Sequence, residues 1–210
     1  MQHSVGTDEE QSAALLVAVA EALLTAQNPS VPSDFIAGLF ERAAPEDLVR
    51  YDGRDIVALT ESAWAFLAER NPGTPKLRIA SPAGASELLR HTSVIEIIND
   101  DMPFLLDSVM GELAERGIEA RLVVHPVFTV TRDPSGRLTG FEGLRSSGNG
   151  AARESFIHIH LDRLADEAQH AELIAALETV LADVRLGVRD WRAITARVGE
   201  IGRASCRERV

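Results

Sequence analysis

Cysteine is almost absent from this sequence of 210 residues, which has a single thiol, at Cys206. Cys206 lies in residues 200–210, which lack apolar periodicity and resemble the translation of a sequencing-adapter read-through, so we expect a non-native tail there. Without that tail no cysteine remains, which excludes disulfides, thiol nucleophiles and cysteine-ligated zinc. The natural chain is then expected to continue beyond the tail.

Positive charge is also scarce, since Lys76 is the only lysine and the net charge is -11 with a pI near 5.0. An acidic surface repels phosphate backbones and anionic lipid, so we expect neither nucleic acid nor a membrane as partner. The longest apolar run, residues 13–26, contains Glu21 and is too short to span a bilayer. Acidic residues precede it where a secretory signal needs positive charge, so we expect a cytoplasmic protein.

Hydrophobic residues make up 45% of the chain, enough for a buried core, and their spacing changes along it. Helical periodicity in residues 13–26 and 54–70, with a shorter helix between them that Ser33 is expected to cap, predicts a helical N-terminal segment over residues 1–72. A short strand is predicted near residues 75–81.

The pattern over residues 73–199 alternates between strands and helices and predicts an α+β domain, a ferredoxin-like two-layer sandwich of antiparallel sheet and helices. A closing strand is missing at its end, so either residues 76–81 supply it or it is lost. The predicted strands are 94–98, 118–132, 137–142 and 156–161, and the predicted helices are 103–116, 165–185 and a further stretch around Trp191.

Several short segments, in this order, are similar to the large bacterial NAD-specific glutamate dehydrogenases. The block NDDMPFLLDS, residues 99–108, is the most specific, and the resemblance covers about residues 35–199. The other segments are APEDL at 44–48, SAWAFL at 62–67, HPV at 125–127, ESFIHI at 154–159 and RDWR at 189–192.

The resemblance implies an ACT-like regulatory region, truncated before a catalytic core that converts L-glutamate and NAD to 2-oxoglutarate and ammonium. These residues hold no glycine-rich dinucleotide fingerprint, so we predict no catalytic residue and no cofactor here, with NAD bound by the parent enzyme. The expected partners are the rest of the dehydrogenase chain, further copies in a homo-oligomer, and an amino-acid effector. The alternative is a free-standing ACT-type amino-acid sensor.

The turn after the first central strand is the candidate effector site, because in ACT-like modules this connection often contacts the ligand. Exposed N–H groups at a helix start hold a carboxylate, and nearby acids hold an ammonium. The structural alternative is that Asp100 or Asp101 caps the helix and Asp107 favours its positive end. The candidate residues are Asn99, Asp100, Asp101, Phe104 and Asp107.

A second candidate site combines histidines with a carboxylate. If the apolar residues of every strand pack under the helices, then Glu96, His125, His158 and His160 all point to an open face of the sheet. Three hypotheses remain for them: a divalent metal site, a polar ladder that is solvated or covered by a neighbouring domain, and a protonation-sensitive interface. We assign no metal ligand to this group.

Overall fold

The computed structural model describes residues 3–82, 86–144, 151–164 and 166–207. Its centre is a six-stranded sheet in which every pairing is antiparallel. The order is β1-β2-β6-β4-β5, and β3 also pairs with β6. The strands are β1 (Lys76–Ala80), β2 (Thr92–Asp100), β3 (Ala120–Val124), β4 (Val127–Arg132), β5 (Leu138–Phe141) and β6 (Ala152–Asp162).

Helices cover both faces of this sheet, and a separate hydrophobic core lies on each face. Four N-terminal helices pack on one face, and the long helices α6 and α7 pack on the other. The helices are α1 (His3–Gln27), α2 (Ser33–Phe40), α3 (Pro45–Leu48), α4 (Gly53–Leu67), α5 (Glu87–Arg90), α6 (Leu105–Glu115) and α7 (Glu167–Arg207).

The predicted α+β class with an antiparallel sheet and a helical N-terminal segment is confirmed. The closing strand is β1, which pairs with β2 from Lys76 opposite Ile98 to Ala80 opposite Val94. The first strand of the predicted domain in sequence therefore occupies the outer position of the sheet, next to β2. The boundary between residues 72 and 73 stays a prediction, and the two parts share one of the hydrophobic cores.

Local predictions were less accurate at the helix ends. Ser33 does not cap α2 but is its first residue, and Pro32 occupies the N-cap position without a side-chain hydrogen bond. The two predicted C-terminal helices are a single helix, α7, and the short helix α5 was not predicted. A loop is predicted over residues 145–153; residues 145–150 lie outside the described residues, and for residues 152 and 153 the prediction is wrong because they belong to β6. Among the described helices, none is long and apolar enough to cross a membrane.

The prediction of an open sheet face is wrong for Glu96, His158 and His160, whose exposures are 1%, 1% and 0%. The N-terminal helices cover that face. Alternation along a strand separates two faces, but it does not reveal which of them a further layer covers. The polar residues of β2 and β6 therefore lie in an interface inside the molecule, where each needs a hydrogen-bond partner.

Gly136, in the turn between β4 and β5, is required by close backbone contact. Its φ is +87°, and an added Cβ would lie 2.5 Å from the carbonyl oxygen of Arg70. Gly73 has a similar φ of +76° but open space around it, so it is a matched control. We expect Gly73→Ala to lower the free energy of unfolding by about 1–2 kcal/mol, and Gly136→Ala by about 3 kcal/mol or more because overpacking is added. Equal losses in chemical denaturation would contradict this reasoning.

Candidate functional site

A chain of hydrogen bonds crosses the interface between the N-terminal helices and the sheet. The Tyr51 hydroxyl lies 2.6 Å from Nδ1 of His160, and Nε2 of His160 lies 2.7 Å from Nε2 of His158. Nδ1 of His158 lies 3.2 Å from the carboxylate of Glu96. Nε of Arg78 donates to the other oxygen of that carboxylate at 2.5 Å. Five side chains from the helical layer and three strands thus form one polar row, named the buried relay below.

Strand register explains why these side chains meet. Glu96 is opposite His158 in the β2–β6 pairing and opposite Arg78 in the β1–β2 pairing. Directly opposed residues on antiparallel strands share a face, so the three lie side by side. His160 is two residues along β6 and therefore on the same face. Tyr51, between α3 and α4, reaches His160 from the covering layer.

One assignment of protons satisfies the whole buried relay. If the Tyr51 hydroxyl donates to Nδ1 of His160, then His160 donates from Nε2 to His158, and His158 donates from Nδ1 to Glu96. Arg78 balances the charge of Glu96. Burial, followed by the neighbouring His158, lowers the pKa of His160 well below its usual value. Burial also raises the pKa of Tyr51 to about 12. Both shifts favour the uncharged forms that this assignment needs.

The metal hypothesis finds no support in this geometry. The two imidazole Nε2 atoms lie 2.7 Å apart, a hydrogen-bond distance. A zinc ion with about 2.0–2.1 Å to each nitrogen would hold tetrahedral ligands farther apart than that. Within the part of the chain that the structure describes, no group of three or more His, Cys, Asp or Glu side chains is arranged to hold a metal ion.

His125 does not belong to the relay, and its predicted place on the same face as Glu96 is wrong. Val124 is opposite His158, so Val124 shares the relay's face and His125 points to the other one. There Nε2 of His125 lies 2.6 Å from the hydroxyl of Ser155. The register remains continuous past Pro126, so no bulge is involved. The error lay in the assumption that Val124 and the isoleucines of β2 pack on one face.

The predicted turn after the first central strand is still part of β2 at Asn99 and Asp100. Asp100 pairs with Arg70 at 2.6 Å and with Arg185 of α7 at 3.3 Å. Burial alone would raise the pKa of Asp100, but its bonds to the two arginines outweigh burial and lower it. The side chain of Asn99 is buried, and its oxygen accepts a hydrogen bond from Arg185. Its amide nitrogen has no partner among the described residues.

Neither acid caps helix α6, so the structural alternative for Asp100 and Asp101 is also wrong. Asp101 instead pairs with Arg153 at 3.1 Å. The N-cap residue is Phe104, which has no side-chain cap and a left-handed backbone with φ 70°. Among the described residues, Phe104 is the one non-glycine residue with a positive φ. This conformation costs roughly 1–3 kcal/mol for residues other than glycine. Asp107 lies in the first turn, where a negative charge is favourable.

The ring of Phe104 is 62% exposed beside an apolar groove between α6 and α7. Trp191 of α7, 65% exposed, lines the same groove. Its volume is about 460 Å³. The remaining lining residues are Ser108, Asp183, Val184, Gly187 and Val188.

A second buried ion network was not predicted from the sequence. Glu154 of β6, 2% exposed, accepts hydrogen bonds from Arg70 at 2.7 Å and from two nitrogens of Arg132 at 2.7 and 2.8 Å. Arg70 also holds Asp100 on the neighbouring strand. The sequence could have predicted which face Glu154 occupies: it is four residues from His158 along β6, and an even spacing places both side chains on the face of the relay. Its partner Arg70 lies in the connection after α4 and its partner Arg132 is the last residue of β4, and the sequence does not reveal that these positions meet Glu154.

Comparison with known proteins identifies a related family model. The model described as "Glutamate dehydrogenase, ACT1 domain" matches residues 35–177. An NAD-specific glutamate dehydrogenase of Halomonas elongata is 35% identical over 166 residues, which is 78% of this chain and 10% of that protein. The enzyme of the same name from Pseudomonas aeruginosa is 29% identical over 168 residues, 80% of this chain and 10% of that protein.

A third relative, the NAD-specific glutamate dehydrogenase of Mycobacterium tuberculosis, is 30% identical over 124 residues, which cover 59% of this chain and 7% of that protein. The chain thus spans about a tenth of the length of the first two relatives. No solved structure matches it significantly.

The buried relay makes a prediction about Tyr51, the only tyrosine in the chain. Because burial raises its pKa to about 12, its ultraviolet absorbance change on ionisation should occur near pH 12, against a usual value of 10.0. The unfolded chain releases this proton first, so the stabilising contribution of the protonated phenol is complete below pH 10 and is lost as the pH rises to about 12. Spectrophotometric titration measures this, with Tyr51→Phe as the blank. A transition near pH 10 in the folded protein would contradict the relay.

Proposed function

The chain belongs to the glutamate dehydrogenase ACT1 domain family, and from this premise we propose that it is a non-catalytic regulatory region of a large NAD-specific glutamate dehydrogenase. The parent enzyme would oxidise L-glutamate with NAD in a part of the polypeptide beyond these residues. The observation that supports this proposal most is the small share, 10%, of each of the first two relatives that the chain covers. We expect its partners to be the rest of that polypeptide and further copies of it.

The described structure offers little to a hydride-transfer reaction. Dinucleotide-binding folds need parallel strands with a glycine-rich turn at the start of a helix, whereas the described strands all pair antiparallel. The ammonium of Lys76, the one lysine of the chain, donates to the carbonyl oxygens of Phe66 and Glu69 at 2.6 and 2.7 Å. It also lies 4.4 Å above the ring of Phe66. These contacts hold Lys76 in a structural role, away from any substrate.

We therefore expect the purified chain to give no glutamate-dependent reduction of NAD. The measurement is NADH absorbance with saturating glutamate and NAD, with a complete NAD-specific glutamate dehydrogenase as positive control. A retained thermal unfolding transition shows that the chain is folded during the assay. Turnover proportional to protein concentration would refute the non-catalytic proposal.

We further propose that an amino-acid effector binds at the connection between β2 and α6. Three features of this connection support it: the buried amide nitrogen of Asn99 has no described partner, Phe104 has a strained backbone, and the groove beside Phe104 is apolar. An unpaired buried donor and a strained backbone are both unfavourable in the unliganded fold, and such features are concentrated at ligand sites. Of the nearby acids, Asp183 lines the groove and supplies negative charge for an ammonium, whereas Asn99 and Asp107 lie outside the lining.

The apolar groove favours an amino acid with an apolar side chain. Calorimetry of the chain with the amino acids should detect one binder, and Phe104→Gly should abolish its binding. Glycine adopts the left-handed backbone without strain, so the Phe104→Gly variant should unfold at a denaturant concentration no lower than that of the Phe104→Ala variant. Leu186→Ala is the matched control, because Leu186 is an exposed apolar residue of α7 outside the groove lining. Absence of heat with every amino acid would refute the effector and leave a packing role.

A further inference from the structure

A separate cavity of about 380 Å³ lies between α2 and the corner that joins β3 to β4. Three segments distant in sequence supply its polar groups. Arg42 follows α2, His125 lies at the corner, and Arg153 belongs to β6. Glu41 contributes the one carboxylate of the lining. Two guanidinium groups and an imidazole therefore face one acidic group.

The two arginines are only partly engaged by carboxylates of the fold. Arg42 is exposed and forms no ion pair with any carboxylate in the described ranges. Arg153 is half-exposed, and its ion pair with Asp101 joins only Nε to the carboxylate, at 3.1 Å. Elsewhere in the fold the arginines at buried positions are fully engaged, as Arg70 and Arg132 are with Glu154. This cavity therefore brings together two guanidinium groups, of which Arg42 has no carboxylate partner among the described residues, in a chain whose net charge is -11.

The imidazole adds a group that can donate or accept. Burial lowers the pKa of His125, the acids Asp101 and Asp107 oppose that shift, and Arg42 adds to it. The same imidazole is fixed in place by its contact with Ser155 at 2.6 Å. Its orientation is thus set before any ligand arrives.

We propose that this cavity binds a small anion through a carboxylate or phosphate group held by Arg42 and Arg153, with His125 beside it. A guanidinium presents a planar pair of N–H donors that matches both kinds of oxyanion, and charge-assisted bonds of this type are strong. The volume suits a small molecule. This proposal does not depend on the proposed amino-acid effector, since the cavity and the apolar groove beside Phe104 share no lining residue.

Titration calorimetry of the whole chain tests the anion site with inorganic phosphate, malonate and acetate, each at ionic strength matched with sodium chloride. We expect saturable binding of one ion per chain. A stronger response to phosphate identifies a phosphoryl ligand, and a stronger response to malonate identifies a dicarboxylate. Arg42→Gln and Arg153→Gln should each weaken binding about tenfold or more. Arg54→Gln removes an exposed arginine outside the cavity and should leave the affinity unchanged.

Glu41→Gln gives a test that misfolding cannot mimic. Removing the one carboxylate of the lining should tighten anion binding several-fold, because like-charge repulsion with the ligand is lost. Unfolding transitions of every variant confirm that each chain is folded. The proposal is overturned if no anion binds saturably, if the three arginine variants weaken binding equally, or if Glu41→Gln weakens it.

Discussion

The burial of strand β6 on both faces is the constraint on which the rest of the structure depends. Helices α6 and α7 cover one face, and the four N-terminal helices cover the other. Glu154, His158 and His160 of β6, on the second face, therefore have no access to water. An unpaired charge there would cost on the order of several kcal/mol. The fold meets this constraint twice, with arginines around Glu154 and with the hydrogen-bonded relay from His158 to Tyr51.

These polar contacts join the two parts of the chain that differ in hydrophobic periodicity, the helical N-terminal segment and the α+β domain. Tyr51 and Arg70 belong to the helical segment, whereas their partners His160 and Glu154 belong to the sheet. A hydrogen bond between buried groups has directional requirements that apolar packing lacks, so such pairs fix how the helices sit on the sheet. Replacing one partner leaves the other buried and unsatisfied, which links the stability of the helical segment to that of the sheet.

The sequence was sufficient to predict most of the helices and strands and part of the site, and the remaining errors have specific causes. Period-2 alternation placed Glu96, His158 and His160 on one face, because parity along a strand is a local property. It did not reveal that the N-terminal helices cover that face, or that Val124 packs with them and directs His125 to the other side. It also did not reveal Arg70 and Tyr51 as partners, because such contacts depend on how distant segments dock. The strain at Phe104 has no compositional signal, since glycine is the residue expected at positive φ.

The segment around Arg153 joins the connection between β2 and α6 to the cavity for which we propose anion binding. Asn99 is opposite Ser155 in the β2–β6 pairing, and Ser155 in turn contacts His125 of the cavity. Arg153 holds Asp101, which directly follows β2, while its side chain lines the cavity. An anion in the cavity and the carboxylate of Asp101 therefore compete for one guanidinium. If the anion changes the affinity for the amino acid through Asp101, the amino acid must change the affinity for the anion by the same factor, because coupling between two binding sites is reciprocal at equilibrium.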